Sequence, residues 1–234
     1  MPLLDMTLAR DGDVGFWTSS VGRKLLMAVT GTAFICFVTI HMVGNLTAYM
    51  GAESMNAYAE FLQGFAHGCG IWVFRLVMLT LFLVHVWAAL SLTLDNWAAR
   101  PKGYRQKRSH AATWASRSMR YTACILAAFV VYHLLHLTVG WGAVHPAFKH
   151  GDAYANFVSG FQSWPASAFY IVANLCLGLH IWHGVWSFSQ TLGWSHPRYD
   201  ALRRHIATVW SLVVVCVNVS YPLAVLSGYL TLPK

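Results

Sequence analysis

The sequence predicts an all-α integral membrane protein in which five transmembrane helices form one domain over residues 1–234. Hydrophobic residues make up 57% of the chain and charged residues only 10%, whereas a soluble domain carries roughly a quarter charged residues. A chain of 234 residues has a large surface relative to its volume, so a core alone cannot bury so many hydrophobic residues. Lipid must therefore cover part of the surface, and little of the chain is left for a soluble catalytic domain.

Five apolar runs are long enough to cross a bilayer, which takes about 20 residues of α-helix. The runs are continuous and do not alternate between apolar and polar positions, so they predict helices rather than the strands of a barrel. They comprise residues 25–46, 71–94, 121–141, 169–192 and 206–230. The first four are expected to form a bundle, with the fifth helix beside it.

Lys and Arg residues are concentrated on one side of the predicted spans. They occur before the first run and in the loops after the second and fourth runs, whereas the loop after the first has none and the loop after the third has only Lys149. Because cytoplasmic loops carry the excess of Lys and Arg, the N-terminus is predicted to face the cytoplasm and the C-terminus the outside. Membrane topology thus explains the net charge of +8, and the charge does not indicate a nucleic-acid partner.

The two outer loops have a composition of their own. Residues 52–65 and 152–164 both mix aromatic with polar side chains. This mixture is typical of short helices that lie in the membrane interface.

The five cysteines include no C-x-x-C pair and no C-x-x-C-H motif. The first absence removes the sequence basis for a zinc site or a thioredoxin-like motif, and the second excludes ordinary covalent attachment of haem. Four of the five lie in apolar runs, where cysteine usually acts as a small buried hydrophobe.

Six of the twelve histidines fall inside the apolar runs. They are His41, His85, His133, His136, His180 and His183. Ionisable side chains are costly inside a bilayer and indicate a functional site by default, although a neutral histidine can also serve only to bond a neighbouring helix. The spans contain no Asp or Glu, which disfavours a proton relay or an ion-coupled transporter.

The depth of the histidines separates these interpretations. Counted along each run at about 1.5 Å per residue, His41 and His133 lie toward the outer half, and His85 and His180 toward the inner half or the middle. Two histidines from facing helices at a common depth match the two axial ligands of a six-coordinate haem. Zinc would need ligands clustered at one point. Whether His133 or His136, and His180 or His183, faces the bundle stays open at this stage.

Three long motifs then identify a family. They read S-S-V-G-R-K-x-x-M-A-x-T-G from Ser19 followed by H-M-V-G-N-L at His41, R-P-K-G-Y at Arg100 followed by A-S-R-S-M at Ala115, and H-I-W-H-G-V-W-S-F-S-Q-T-L-G from His180. From about Ser19 onward the chain resembles the diheme cytochrome b membrane anchor, of the single-anchor type with five helices, of succinate:menaquinone oxidoreductases and related fumarate reductases (complex II).

The resemblance implies a four-helix haem-binding bundle with two haem b groups. It implies that His85 and His180 bind the inner haem, and that His41 and His133 bind the outer one. It further implies that the subunit passes electrons from an iron–sulfur subunit, itself carrying an FAD-containing flavoprotein with the succinate site, through the haems to menaquinone. The expected location is the bacterial cytoplasmic membrane.

Further candidates surround these ligands. Arg75, His136, His183, Arg23 and Lys24 are candidates for contacts with haem propionates or for support of the ligands. Ser19 and Ser20 resemble the serines of quinone pockets in related anchors, but serine is equally common at a helix start. For an outer quinone site the candidates are Tyr58, Glu60 and His67. Some fumarate reductases of the family carry a membrane glutamate two residues before the ligand on the fourth span, where this chain has Gly178.

Other functions are compatible with the same pattern. The cytochrome b subunit of a quinone-linked hydrogenase or formate dehydrogenase would also hold two haems. A respiratory bc-type cytochrome b fits less well, because its ligands come in pairs on the same two helices. A haem-free structural anchor and a small transporter are the alternatives from other classes.

Overall fold

The computed structural model describes residues 15–99 and 114–233, and within these ranges every regular element is helical. Much of the basic loop that starts at Arg100 and carries the R-P-K-G-Y motif lies outside the described residues. The helices are α1 (Ser20–Asn45), α2 (Ala52–Gly64), α3 (Cys69–Ala98), α4 (Trp114–His133), α5 (Ala153–Gln162), α6 (Trp164–Thr191) and α7 (Asp200–Leu226). A π-helical turn over Leu134–Val139 continues α4.

Five of these helices are long and apolar enough to cross a membrane. They are α1, α3, α4 with its π-helical turn, α6 and α7, which confirms the predicted fold class. Each helix except α3 begins at least five residues before its apolar run; α1, for example, starts at Ser20. The backbone hydrogen bonds of a helix continue past the point where its side chains become polar, so hydropathy alone marks the start too late.

Helix α6 lies at the centre of the bundle, where it packs against α4, α7 and α1, while α3 packs against α1. Its middle is held to α7 by a buried hydrogen bond from Ser211 Oγ to the carbonyl oxygen of Gly178 (2.7 Å). By contrast, Ala88 is the one fully buried residue of α3. Most of the surface of α3 is therefore left for lipid, as expected for a helix at the edge of a membrane bundle.

The two outer loops form the predicted short helices, α2 and α5. Their packing differs. Helix α2 is largely exposed with one buried residue, Met55, whereas α5 buries Tyr154, Phe157, Val158 and Phe161 against the end of the bundle that is predicted to face outward. Helix α5 thus packs over one end of the bundle and does not lie free in the interface.

Asp152 caps α5 and ties it to α2. Its carboxylate accepts hydrogen bonds from the Ala155 amide (2.9 Å) and from Asn56 Nδ2 (3.0 Å). The pKa of Asp152 lies below its ordinary value of 3.8, chiefly because the carboxylate accepts the bond from the Ala155 amide and then that from Asn56. The charge of Lys149 lowers the pKa a little further, and burial opposes these effects. Because the pKa is lower in the folded state, the stabilisation is present above the unfolded pKa and is lost as the pH falls through the folded one.

Asp152→Ala is therefore expected to lower the free energy of unfolding by about 1 kcal/mol at neutral pH, the usual cost of losing an N-cap. Asp152→Asn should keep part of the cap and lose less stability than the wild type on acidification to roughly pH 3. Thermal unfolding in detergent at the two pH values measures both effects. Equal acid losses in wild type and Asp152→Asn would contradict this role of the carboxylate.

Candidate functional site

One histidine pair, called the outer pair after the predicted topology, comes from α1 and from the end of α4. The ring centres of His41 and His133 are 5.8 Å apart, with an interplanar angle of 84°. Each ring stacks on the phenylalanine four residues earlier, with centroid distances of 5.5 Å for Phe37 and 5.7 Å for Phe129. The repeated F-x-x-x-H spacing thus produces the same local support on two helices, because residues four apart share a helix face.

The inner pair comes from α3 and α6. The ring centres of His85 and His180 are 6.4 Å apart, at an interplanar angle of 58°. The edge of Phe34 packs against His85 with ring centres 5.7 Å apart. The two pairs together use four helices, and each helix contributes a histidine to one pair only.

These separations fit imidazoles on opposite sides of one metal ion. A bond between a metal and an imidazole nitrogen is about 2 Å long, so two axial rings on one ion have centres roughly 6 Å apart. Across the two described stretches, no group of three or more His, Cys, Asp or Glu side chains could hold a metal ion on protein ligands alone. The remaining ligands would have to come from a macrocycle, and the donor set therefore fits haem.

Threonine hydroxyls support both inner histidines. Thr30 Oγ1 lies 2.9 Å from His85 Nδ1 and donates its hydrogen to the Leu26 carbonyl at 2.7 Å. Since a hydroxyl has only one hydrogen, the imidazole must donate from Nδ1, which leaves the Nε2 lone pair free for a metal. Thr122 Oγ1 contacts His180 Nδ1 in the same way at 3.5 Å.

The outer histidines have different partners. His133 Nδ1 lies 3.0 Å from the hydroxyl oxygen of Tyr170. The exposed His41 contacts Asn45 through Nε2, at 3.2 Å from Nδ2. Coordination through His41 Nε2 therefore requires the amide of Asn45 to move aside.

His136 and His145 form a buried polar cluster next to the outer pair. Their side chains are 1% and 3% exposed, and their ring centres are 4.8 Å apart. His145 donates from Nδ1 to the His136 carbonyl (2.9 Å), and its Nε2 lies 2.9 Å from Ser159 Oγ on α5. The sequence analysis missed His145 and Tyr170, because neither the loop position of His145 nor an ordinary tyrosine in a span signals such a contact.

Further candidates, one beside the inner pair and the others toward the predicted outer side, have fewer contacts with the protein. His183, one turn beyond His180, is half-buried. Arg75 is exposed, and its guanidinium stacks over Trp72 at 4.8 Å from the ring centre. In the first outer loop Tyr58 packs closely against Gly44, and Glu60 and His67 are exposed.

At the opposite end of the bundle most of the candidates bond to the protein itself. Ser19 caps α1 by accepting from the Gly22 amide at 3.0 Å, which is the role of a helix-start residue. Arg23 forms an ion pair with Asp95 and so joins the start of α1 to the end of α3. Ser20 is exposed, and Lys24 lines a cleft of about 360 Å³ with Gln190 and Thr191.

Two arginines in the first turn of α7, which the sequence analysis assigned only to topology, contact the end of α6. Arg203 and Arg204 place their guanidinium groups over the ring of Trp186, at 4.4 Å and 4.6 Å from its centre. Arg203 also donates to Ser189 Oγ and to the Trp194 carbonyl, both at 3.0 Å, and pairs with Asp200. These contacts give structural roles to Trp186 and Ser189 of the long motif that begins at His180.

The comparisons with known proteins identify the family of the chain. The family model described as Succinate dehydrogenase/Fumarate reductase transmembrane subunit matches residues 100–219, half of the chain. The chain belongs to this family. The resemblance drawn from the motifs, to the cytochrome b anchors of succinate dehydrogenases and fumarate reductases, is thereby confirmed.

One relative of this succinate dehydrogenase/fumarate reductase subunit is the succinate dehydrogenase cytochrome b558 subunit of Bacillus subtilis (strain 168). The two are 26% identical over 175 residues, which cover 74% of this chain and 80% of the relative. No solved structure matches the chain.

Gly178 distinguishes this chain from those members of the succinate dehydrogenase/fumarate reductase family that carry a glutamate there. A Cβ atom added at Gly178 would clash with Val215 and lie 3.3 Å from Ser211 Oγ, both on α7. The position is therefore a close contact between α6 and α7, with no room for a longer side chain.

Proposed function

We propose that this chain is the membrane anchor of a succinate:quinone oxidoreductase and that it holds two b-type haems. The observation that carries the proposal is the presence of two histidine pairs, each with ring centres near the separation that one iron ion requires, on four helices of the bundle. His41 and His133 would hold the outer haem, and His85 and His180 the inner one. When bound, the haems would supply one-electron transfer between an iron–sulfur subunit and menaquinone.

The protein residues would orient the haems and restrict their chemistry. Two histidine ligands for each haem would leave no position on the iron for oxygen or substrate, which favours electron transfer. The hydroxyls of Thr30 and Thr122 would keep Nε2 of the inner histidines unprotonated. Phe34, Phe37 and Phe129 would fix the ring planes by stacking or edge contacts.

The partners follow from the family and from the name of the Bacillus relative, a subunit of succinate dehydrogenase. We infer that the N-terminus and the basic loops face the cytoplasm and dock an iron–sulfur subunit, which carries the flavoprotein with the succinate site. Arg204, held over Trp186, would give that face fixed positive charge, whereas Arg203 is paired with Asp200. The chain would thus be part of an enzyme without holding the succinate site itself.

Menaquinone is the proposed electron acceptor. Among the residues considered for the inner face, Ser19 is engaged as a helix cap and Arg23 in an ion pair. Of the other two, Ser20 is exposed, and Lys24 lines the cleft that it shares with Gln190 and Thr191. A quinone carbonyl could accept from its ammonium group there, and Tyr58, Glu60 and His67 stay the alternative at the outer face.

The test is to purify the complex and record its dithionite-reduced minus oxidised spectrum, with haem counted per chain by the pyridine haemochrome method. Two haems per chain, with α-bands of the b type, are expected. A single haem would leave one histidine pair with a packing role only. Absence of haem from a complex that contains all its subunits would refute the proposal in favour of a haem-free anchor.

A further inference from the structure

Building on the proposed function, we propose that Tyr170 is a positioning residue for the outer haem. Its hydroxyl accepts a hydrogen bond from His133 Nδ1 and donates one to His136 Nδ1. It thereby directs Nε2 of His133 toward the iron and holds His136 away from it. One phenol group would thus determine which of two histidines, three residues apart on the same helix, binds the iron.

The first step of the argument is the number of hydrogens on the phenol. Tyr170 Oη lies 3.0 Å from His133 Nδ1 and 3.1 Å from His136 Nδ1. A phenol has one hydrogen to donate, so when both contacts are hydrogen bonds it donates to one histidine and accepts from the other. The two neutral imidazoles must therefore be opposite tautomers, with only one of them protonated on Nδ1.

The surroundings of the two rings decide which histidine is protonated on Nδ1. His133 faces His41 across the bundle, at 5.8 Å between ring centres. His136 instead stacks on Tyr132 at 5.3 Å. A Cβ atom added at Gly160 would lie only 2.9 Å from His136 Cε1 and 3.1 Å from Nε2, so the backbone of α5 closes off that edge of the ring. A macrocycle has no room beside His136 Nε2, and His133 is therefore the histidine that donates from Nδ1 and keeps Nε2 free.

Tyr170 itself is held rigidly enough for this role. Its side chain is 4% exposed. Its ring packs nearly perpendicular to Phe129 and to Phe161, with centroid distances of 4.9 Å and 4.8 Å. These contacts involve only the ring, so a phenylalanine at position 170 can keep them while it removes the hydroxyl.

The same arrangement recurs at the inner pair, where Thr30 and Thr122 accept from Nδ1 of His85 and His180. A partner on the far nitrogen of a ligating imidazole fixes its tautomer and raises its basicity, and loss of such partners typically costs roughly 10- to 100-fold in metal affinity or activity. A more basic ligand favours oxidised iron. Removal of the Tyr170 hydroxyl should therefore raise the reduction potential of the outer haem and weaken its retention.

The experiment compares three variants of the complete complex by redox titration of the haem bands and by low-temperature EPR. Tyr170→Phe should shift the potential and EPR signal of the outer haem alone, or lower its occupancy. Thr30→Val should shift only the inner haem. Tyr132→Phe is the matched control, because within the described residues the Tyr132 hydroxyl has no hydrogen bond to a histidine, and it should leave both haems as in the wild type.

An outer haem in Tyr170→Phe that is indistinguishable from that of Tyr132→Phe would overturn the inference while leaving the haem assignment intact. Absence of haem from the wild-type complex would instead refute the proposed function itself. His136→Phe provides a second test, since it keeps the bond between Tyr170 and His133. The His136→Phe complex should retain the outer haem, with a smaller shift of its reduction potential than in Tyr170→Phe. Loss of that haem would overturn the choice of His133 as the ligand.

Discussion

Replacing His133 by alanine is expected to halve the haem content of the complex, whereas replacing His136 by alanine should leave both haems in place. His133 is the partner that faces His41, at 5.8 Å between ring centres, while His136 is enclosed by Tyr132, His145 and the backbone of α5. Under the proposed ligation, loss of His133 would remove one of the two protein ligands of the outer iron. His136→Ala removes instead a buried side chain from the polar cluster and should lower stability.

Haem per chain from the pyridine haemochrome, together with EPR, measures both effects on the purified complex. In His133→Ala the signal that remains should be that of the haem held by His85 and His180. His85→Ala is the matched comparison and should remove the other signal. Retention of two haems in His133→Ala with loss of one in His136→Ala would show that the ligand on α4 is His136, and would leave the two-haem proposal standing.

The helices could be predicted from the sequence because a membrane span is a local property. About 20 apolar residues in succession predict a helix wherever they occur, and all five runs became helices. The same local logic allowed a depth to be assigned to each histidine, since depth follows from position along a straight helix. The structure brings together one histidine pair at each depth, His41 with His133 and His85 with His180. Depth alone leaves His136 as an alternative partner of His41.

The choice between His133 and His136 could not be made in this way. Residues three apart on an α-helix differ by about 60° in direction, so both can face one bundle. In addition, the backbone changes from α-helix to a π-helical turn directly after His133. Such a turn adds a residue to the helical repeat, so the direction of His136 cannot be extrapolated from the helix before it. Sequence periodicity contains no sign of this change.

The polar contacts around the site depend on pairs that are distant in sequence. Tyr170 meets histidines more than 30 residues away, and Arg203 reaches back to Trp186 on the preceding span. In a single sequence a tyrosine in a span or an arginine in a cytoplasmic loop already has an ordinary explanation, as an anchor or a topology signal. Only the packing of α4, α5, α6 and α7 reveals their additional contacts.

The second large effect is expected at Gly178, where substitution should separate α6 from α7. Gly178→Ala places a methyl group against Val215 and Ser211, and overpacking of this kind typically costs about 1–3 kcal/mol. Thermal unfolding in detergent should show a clearly lower midpoint. Gly64→Ala is the matched control, because the site lies at the end of α2 with no atom within 4 Å of the added Cβ, and its midpoint should stay near that of the wild type.

Gly178→Glu separates two views of this position. If it were a vacant place in a proton path, the carboxylate known from other family members would fit and the complex would assemble with altered proton coupling. The structure predicts the opposite, because α7 occupies the space and the buried bond from Ser211 to the Gly178 carbonyl would break. A carboxyl group buried there without a partner adds a cost of several kcal/mol, so the variant should fail to accumulate in the membrane. Normal assembly of Gly178→Glu, with both haems present, would show that α7 can move away and that the close contact is not required.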